Sequence, residues 1–324
     1  MHLFQKVAFA AAVSIAGCGA ALADDSFPNR PIQIINPYQA GGTTDILARG
    51  LAAGMATRLG QQLVVVNKPG AGGSVGTASV ARATPDGYTL LFAPALVVSV
   101  LPQARPQSEV GYESSELIPI CQTFSNVMGL IVRQDSPYKN VGDLVKAARA
   151  KEGALTYGHQ GVSTIPQLAI EEFLDAAKLK VTGVPYRGDP AVMTDLLGGR
   201  IDLAAVVLGV VSSQGQNVRL LGVFADERHP SFPDVPTVAE QGFNVAPASF
   251  GGLLVRKGTP APVVAKLAAA CDSAAHDEFY RQAAKRAAQP VKYYSGPEAF
   301  GKRLQQDVET KARLLKQLGQ AAPK

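Results

Sequence analysis

An α/β fold in two lobes is what the sequence predicts, on three observations. Short β-branched runs alternate with stretches whose apolar residues recur at helical spacing. The alternation restarts after residue 125. No Pro/Gly/Ser-rich linker separates the two halves, so the chain should cross between lobes more than once.

In the first half, Ile32–Asn36 is a β-rich run ending at Pro37. Leu47, Leu51, Met55 and Leu59 then form one helical stripe, closed by Gly60 where a left-handed residue is usual. Leu63–Val66 is a continuous β-branched run of the kind buried on both faces of a parallel sheet. A second short helix runs to about Ala83, and Thr89–Ala93 is the next strand. This β-α-β-α-β order implies right-handed crossovers and a parallel sheet. Later strand candidates are Leu130–Val132, Leu155–Tyr157, Val181–Val184, Leu203–Val207 and Leu220–Phe224, with helices at 141–151, 164–177 and 190–198. Thr259-Pro260 opens a helix through Ala275. Ser295-Gly296-Pro297-Glu298 reads as a capping box before a last helix carrying Phe300, Leu304 and Val308.

With 324 residues, about two domains are expected, and there is ample chain for real cores. Three Cys and four His make a multi-ligand zinc or iron–sulfur site improbable, and no metal or cofactor is expected. The net charge of +5 is modest, and the basic residues are scattered without aromatic interleaving, which argues against nucleic-acid binding. Cys121 and Cys271 read as two buried thiols rather than a disulfide.

The first residues read as an export signal: Lys6, then an apolar run from Val7 to Ala16, too short to span a bilayer. Ala21-Leu22-Ala23 before Asp24 is an A-x-A cleavage site, giving a signal peptide of 1–23. Ile15-Ala16-Gly17-Cys18 is a competing lipoprotein signal, 1–17, that would leave a lipidated Cys18. The first is favoured because the apolar run continues to Ala23 and an acidic start follows. Both imply export to the periplasm.

Two loops carry the functional signal. Pro37-Tyr38-Gln39-Ala40-Gly41-Gly42-Thr43-Thr44-Asp45 joins a strand to a helix N-terminus, where glycines allow close backbone approach and free N–H groups favour a carboxylate or phosphate. His159-Gln160-Gly161-Val162-Ser163-Thr164 is a second loop of this kind; each has an ordinary strand-to-helix turn as its plain alternative. His229 and His276 read as solvated surface. The stretch Gly70–Gly76 fails as a dinucleotide fingerprint, because Val75 stands where a third glycine is needed, and it lacks the Gly-Lys of a phosphate loop. Gly72-Gly73-Ser74-Val75-Gly76 matches G-x-S-x-G formally, but Ser74 is not at the turn leaving the strand that ends near Asn67. A secreted serine hydrolase using Ser74 is therefore only the rival reading. An effector-domain reading is disfavoured by the export signal and the missing helix-turn-helix.

The ordered segments Pro37-Tyr38, Gly41-Gly42-Thr43-Thr44-Asp45-Ile46-Leu47-Ala48-Arg49, Asn67-Lys68-Pro69-Gly70-Ala71-Gly72-Gly73, Pro85-Asp86-Gly87-Tyr88-Thr89-Leu90, Val184-Pro185-Tyr186-Arg187-Gly188 and Phe232-Pro233-Asp234-Val235-Pro236-Thr237 span nearly the whole chain. In order and spacing it resembles the Bug receptors, the extracytoplasmic solute-binding component of tripartite tricarboxylate transporters. The resemblance implies a type II, Venus-flytrap periplasmic binding protein that is not an enzyme and has no catalytic residues. Its hinge-connected lobes would enclose a ligand cleft. It implies one lobe of 26–125 plus 246–324 and another of 126–245, with crossings near Cys121–Ser125 and Val245–Phe250. It implies a monomer that delivers a small organic carboxylate to membrane transporter subunits or to a periplasmic sensor domain. The implied site has Tyr38, Gln39, Ala40, Gly41, Gly42, Thr43 and Asp45 on one wall, with Pro94, Ala95 and Leu96 after the third strand. His159, Gln160, Gly161, Ser163, Thr164, Arg187, Val206 and Val207 stand opposite. The chain departs from the family in replacing polar groups: Pro94-Ala95-Leu96 is apolar, Gln167 stands at a His position, and Val206-Val207 replaces Asp-Asn. These swaps point to a solute less polar than citrate.

Overall fold

A computed structural model describes residues 27–322 apart from 160, 162, 187–188, 246–248, 288 and 290–293. The signal-peptide expectations, Gln160 and Arg187 lie outside the described residues.

The chain begins with β1 (Ile32–Asn36), α1 (Thr43–Leu59), β2 (Leu63–Asn67), α2 (Ser74–Ala81) and β3 (Thr89–Pro94). Three one-turn helices follow, α3 (Leu96–Ser99), α4 (Leu101–Ala104) and α5 (Gln107–Val110), then β4 (Leu117–Asn126). A second set contains β5 (Met128–Arg133), α6 (Val141–Ala150), β6 (Thr156–His159), α7 (Ile165–Ala177), β7 (Thr182–Pro185), α8 (Asp189–Leu197), β8 (Leu203–Val207), α9 (Leu208–Gln214) and β9 (Val218–Phe224). The chain then returns through β10 (Ser249–Arg256), α10 (Ala261–Ala275), α11 (Glu278–Arg286) and α12 (Pro297–Gln317).

Two five-stranded sheets result, β2-β1-β3-β10-β4 and β7-β6-β8-β5-β9. Each is covered on both faces. One face of the first sheet buries Ile34, Leu51, Met55 and Phe92 against α1 and α10, and the other buries Ile35, Leu91, Phe250 and Phe300 against α2 and α12. The second sheet packs Leu130, Tyr157 and Phe173 toward α6 and α7, and Ile131, Ala204 and Val206 toward α8 and α9. This is the two-lobed α/β architecture that the sequence predicts.

The β-α-β-α-β unit is parallel as predicted, with β1 pairing in parallel with both β2 and β3, but each sheet as a whole is mixed. β10 runs antiparallel to β3 and β4, and β5 runs antiparallel to β8 and β9. Strands β4 and β10 were not anticipated. β4 carries buried Gln122, Thr123 and Ser125, and β10 carries Gly251-Gly252, so neither shows an apolar period. The expected crossing at Cys121–Ser125 lies inside β4, and the passage to the second sheet comes later, at Val127. There Asn126 Nδ2 donates to Ser249 Oγ (3.2 Å), tying the outgoing and returning strands together. The run at Leu63–Val66 is an edge strand rather than a doubly buried one, with Val64 45% exposed. The capping box at Ser295 does not form: Ser295 pairs with Gln122 through N–H and C=O, and Gly296 is the N-cap of α12. Gly60 does close α1 in the left-handed region, at φ 65°.

Cys121 and Cys271 form a disulfide (Cα–Cα 6.5 Å), which corrects the reading of two thiols. Their separation of 150 residues hid a proximity created by packing α10 on β4. The bond staples helix to sheet inside a core.

The lobes also touch away from the crossings. Leu168 of α7 inserts among Val100, Leu314 and Leu315, with Leu96 and Leu318 at the edge. Beside it Lys311 of α12, only 1% exposed, pairs with Glu172 of α7 and lies 3.9 Å from Asp307. The end of α12 therefore straps the first lobe to the second along one flank.

Candidate functional site

The first loop is built by Asp45. Its carboxylate is buried one turn into α1 and reaches back: Oδ2 accepts from Gly41 N–H (2.9 Å) and Arg49 Nε (3.0 Å), and Oδ1 accepts from Asn67 Nδ2 (2.9 Å). Burial alone would raise this carboxyl. The bonds from Arg49, Gly41 and Asn67 outweigh it and hold the pKa at about 2, below the ordinary 3.8. With its oxygens engaged, Asp45 is a positioning residue. Gly41 sits at φ 81°, where a side chain would be strained. Gln39, Ala40, Gly41, Gly42 and Thr43 are exposed, and Gly42 caps α1 with no side-chain bond, so the helix start faces open space.

Tyr38 is half-buried. Its hydroxyl donates to Gly72 O (3.4 Å) and lies against Gly73, whose φ of 110° and missing Cβ leave room for the ring. Burial, then Tyr112, pushes the Tyr38 hydroxyl above its ordinary range, so it stays a neutral donor. The Gly-rich turn thus props the loop. Ser74, at the start of α2, is 1% exposed, and its Oγ has no hydrogen-bond partner among the described residues. No histidine among the described residues is bonded to it, so nothing there makes it a nucleophile.

The second loop is self-braced. His159 is buried at the end of β6, with Nδ1 2.8 Å from Gly161 O and 3.2 Å from Gly161 N. Ser163 adopts φ 60° and donates its N–H to Gln167 Oε1 (2.6 Å), while Thr164 Oγ1 donates to Gly161 O (2.9 Å). Gln167 is therefore a brace for the loop. Ser163 Oγ bonds Gln320 Oε1 (3.2 Å), a contact made across the lobes just beyond α12.

Two side chains expected in the cleft are not there. Ala95 is 2% exposed in the first lobe's core, where it caps α3 and receives Ser99 Oγ on its carbonyl. Val206 is fully buried on the α8/α9 face. Alternation along β8 turns Val206 inward and leaves Val207 half-buried at the strand end. Pro94 and Leu96 are half-buried on either side of Ala95.

Val207 and Thr43 meet across a cavity of about 280 Å³. Val127, Leu208 and Gly209 line its depth, at the crossing and the start of α9. A larger chamber of about 1070 Å³ adjoins it and shares Val127, Leu208, Gly209, His229 and Gln289 as walls. His229 was missed by the sequence reading. It is 7% exposed, not surface, because its loop is anchored: Arg228 Nε donates to both Glu240 oxygens (3.0 Å each), and Thr237 and Glu240 cap one another. The Thr237-Val238-Ala239-Glu240 spacing was the legible signal of that anchor.

An open helix N-terminus at the meeting line of two lobes has the chemistry to receive a small anion, and no group able to hold a metal ion occurs among the described residues. Residues 47–320 match the family model described as tripartite tricarboxylate transporter family receptor. The chain belongs to that family. The receptor is 33% identical, over 99% of its length and 98% of the relative's, to the "UPF0065 protein in gbd 5'region" of Cupriavidus necator. A TctC solute binding protein from Polaromonas superposes at a TM-score of 0.81 with 30% identity, covering 90% of this chain and 100% of the other. MatC from Rhodopseudomonas palustris, solved with bound malate, matches at 0.67 with 27% identity, covering 89% and 100%. The receptor is thus a periplasmic solute-binding protein by family, and no described helix is long and apolar enough to cross a membrane.

Proposed function

We propose that the receptor binds a small organic carboxylate less polar than citrate, closing its lobes on it. The carrying observation is the open start of α1 at Thr43, which faces an apolar wall of Val127, Val207 and Leu208 across the cavity. The helix N-terminus favours one carboxylate, and the cavity carries no cationic side chain among the described residues to balance a second one. Leaving such a group unpaired costs about 1–3 kcal/mol. Malate in MatC supports the carboxylate class, and its second carboxylate marks where this receptor should differ.

The lobes would be 26–125 plus 246–324 and 126–245, a division that sheet membership supports. The strand pair joined by Asn126 and Ser249 would act as the hinge. Ligand touching both walls favours the closed state, which would be presented to membrane transporter subunits or a sensor domain. Export would follow cleavage after Ala23, with lipidation at Cys18 as the alternative.

The test is the melting temperature of the purified mature protein against aromatic, aliphatic and tricarboxylic acids, amides and sugars. A ligand at a hundredfold excess over Kd adds about 2.7 kcal/mol. A shift with aliphatic or aromatic monocarboxylates, larger than with citrate, is expected. Tighter binding of citrate, or shifts only with neutral compounds, would overturn the reading.

A further inference from the structure

We propose that the chamber beside α11 is a distal subsite of the solute cleft, in which His229 and Gln289 take the uncharged, oxygen-bearing far end of an elongated monocarboxylate. The inference rests on the carboxylate reading above, because it places the solute's head at Thr43.

His229 Nδ1 accepts from Ser231 N–H (3.2 Å), which fixes the ring proton on Nε2. Among the described residues Nε2 has no partner, although the residue is more than nine-tenths buried and lines both cavities. Burial also holds this imidazole below its ordinary pKa, so it is a neutral donor at neutral pH. Gln289 lines the same two cavities from the other lobe, and its Oε1 is buried with no hydrogen-bond partner among the described residues. A donor from one lobe and an unpaired acceptor from the other match a hydroxyl, which both accepts and donates. Either bond forms only where the lobes are held together, so the far end of the solute would favour the closed state.

Charge decides against a second carboxylate. Arg228 is engaged by Glu240, and Arg281 lies 3.4 Å from Glu278. The described lining balances Arg228, Arg281 and Lys285 against Asp226, Glu227 and Glu278, so it offers a second carboxylate no net positive charge. Val127, Leu208 and Phe232 supply the apolar surface for the connecting chain.

Calorimetry with hexanoate, ω-hydroxyhexanoate and adipate tests this on the intact mature protein and on His229→Phe and Gln289→Met. Wild type should bind ω-hydroxyhexanoate about tenfold more tightly than hexanoate or adipate, the equivalent of one net hydrogen bond or slightly more. Either variant should erase that preference, bringing ω-hydroxyhexanoate down to the affinity that the same variant has for hexanoate; thermal melts confirm folding, and the two variants lie in different lobes. Equal losses for hexanoate and ω-hydroxyhexanoate, or no loss, would overturn the subsite while leaving the carboxylate reading intact. Absence of binding by any acid to wild type would overturn both.

Discussion

Lys311→Met removes an ammonium from a site where the side chain is 1% exposed, and leaves Glu172 and Asp307 buried without their cation. Breaking a buried pair from one side costs about 3–5 kcal/mol. At about 2 °C per kcal/mol for a chain of this size, the melting temperature should fall by roughly 6–10 °C. The deficit should depend on pH. Burial, partly offset by Lys311, raises both carboxyls above their ordinary values. Their contribution is therefore fully present below the unfolded carboxylate range and is lost as pH rises through the raised folded values. Without Lys311 the raising grows, so the deficit should be largest at neutral pH and should shrink on acidification. Lys311→Met combined with Glu172→Leu should recover much of the loss, since an apolar substitute for a buried pair is often neutral. Calorimetric melts of parent, single and double variants across pH read all of this. An unchanged melting point for the single variant, or a deficit that grows toward acid, would refute the reasoning.

Asp45→Asn should loosen the loop at Gly41 and weaken carboxylate binding, at a stability loss of about 1–3 kcal/mol for the charge-assisted bonds removed. In the parent, that contribution should be present above 3.8 and be lost as pH falls through about 2; an acid-melting profile identical in the variant would contradict it. Cys271→Ala should destabilise strongly, because the disulfide closes a separation of 150 residues, for which chain entropy gives about 5 kcal/mol as a ceiling. Two alkylatable thiols in unfolded, unreduced protein would show instead that the bond is absent.

The repeating elements were legible because periodicity is local. The stripe at Leu47, Leu51, Met55 and Leu59 required one buried face, and Gly60 required a left-handed end; both appear in α1. The two helix-start loops were legible for the same reason, since glycines and hydroxyls after a strand mark a helix start. β4 and β10 were not, because buried antiparallel strands, β10 inside the sheet and β4 at its end, can carry paired glycines or Gln122 and Thr123 without an apolar period. Ala95 and Val206 show the same limit from the other side. Their apolar character was visible, but whether it faced cleft or core depended on a strand's rotation relative to the rest of its sheet.

By itself the sequence determined the class of fold, the order of most elements, and the family, since these follow from short-range patterns of burial and turn chemistry. Tertiary structure alone decided which distant residues met. Cys121 reached Cys271 because α10 packs on β4, and Lys311 reached Glu172 because α12 spans both lobes. His229 reached the cleft through a loop fastened by Arg228 and Glu240. Such encounters arise from the packing of whole elements, and no local spacing along the chain encodes them.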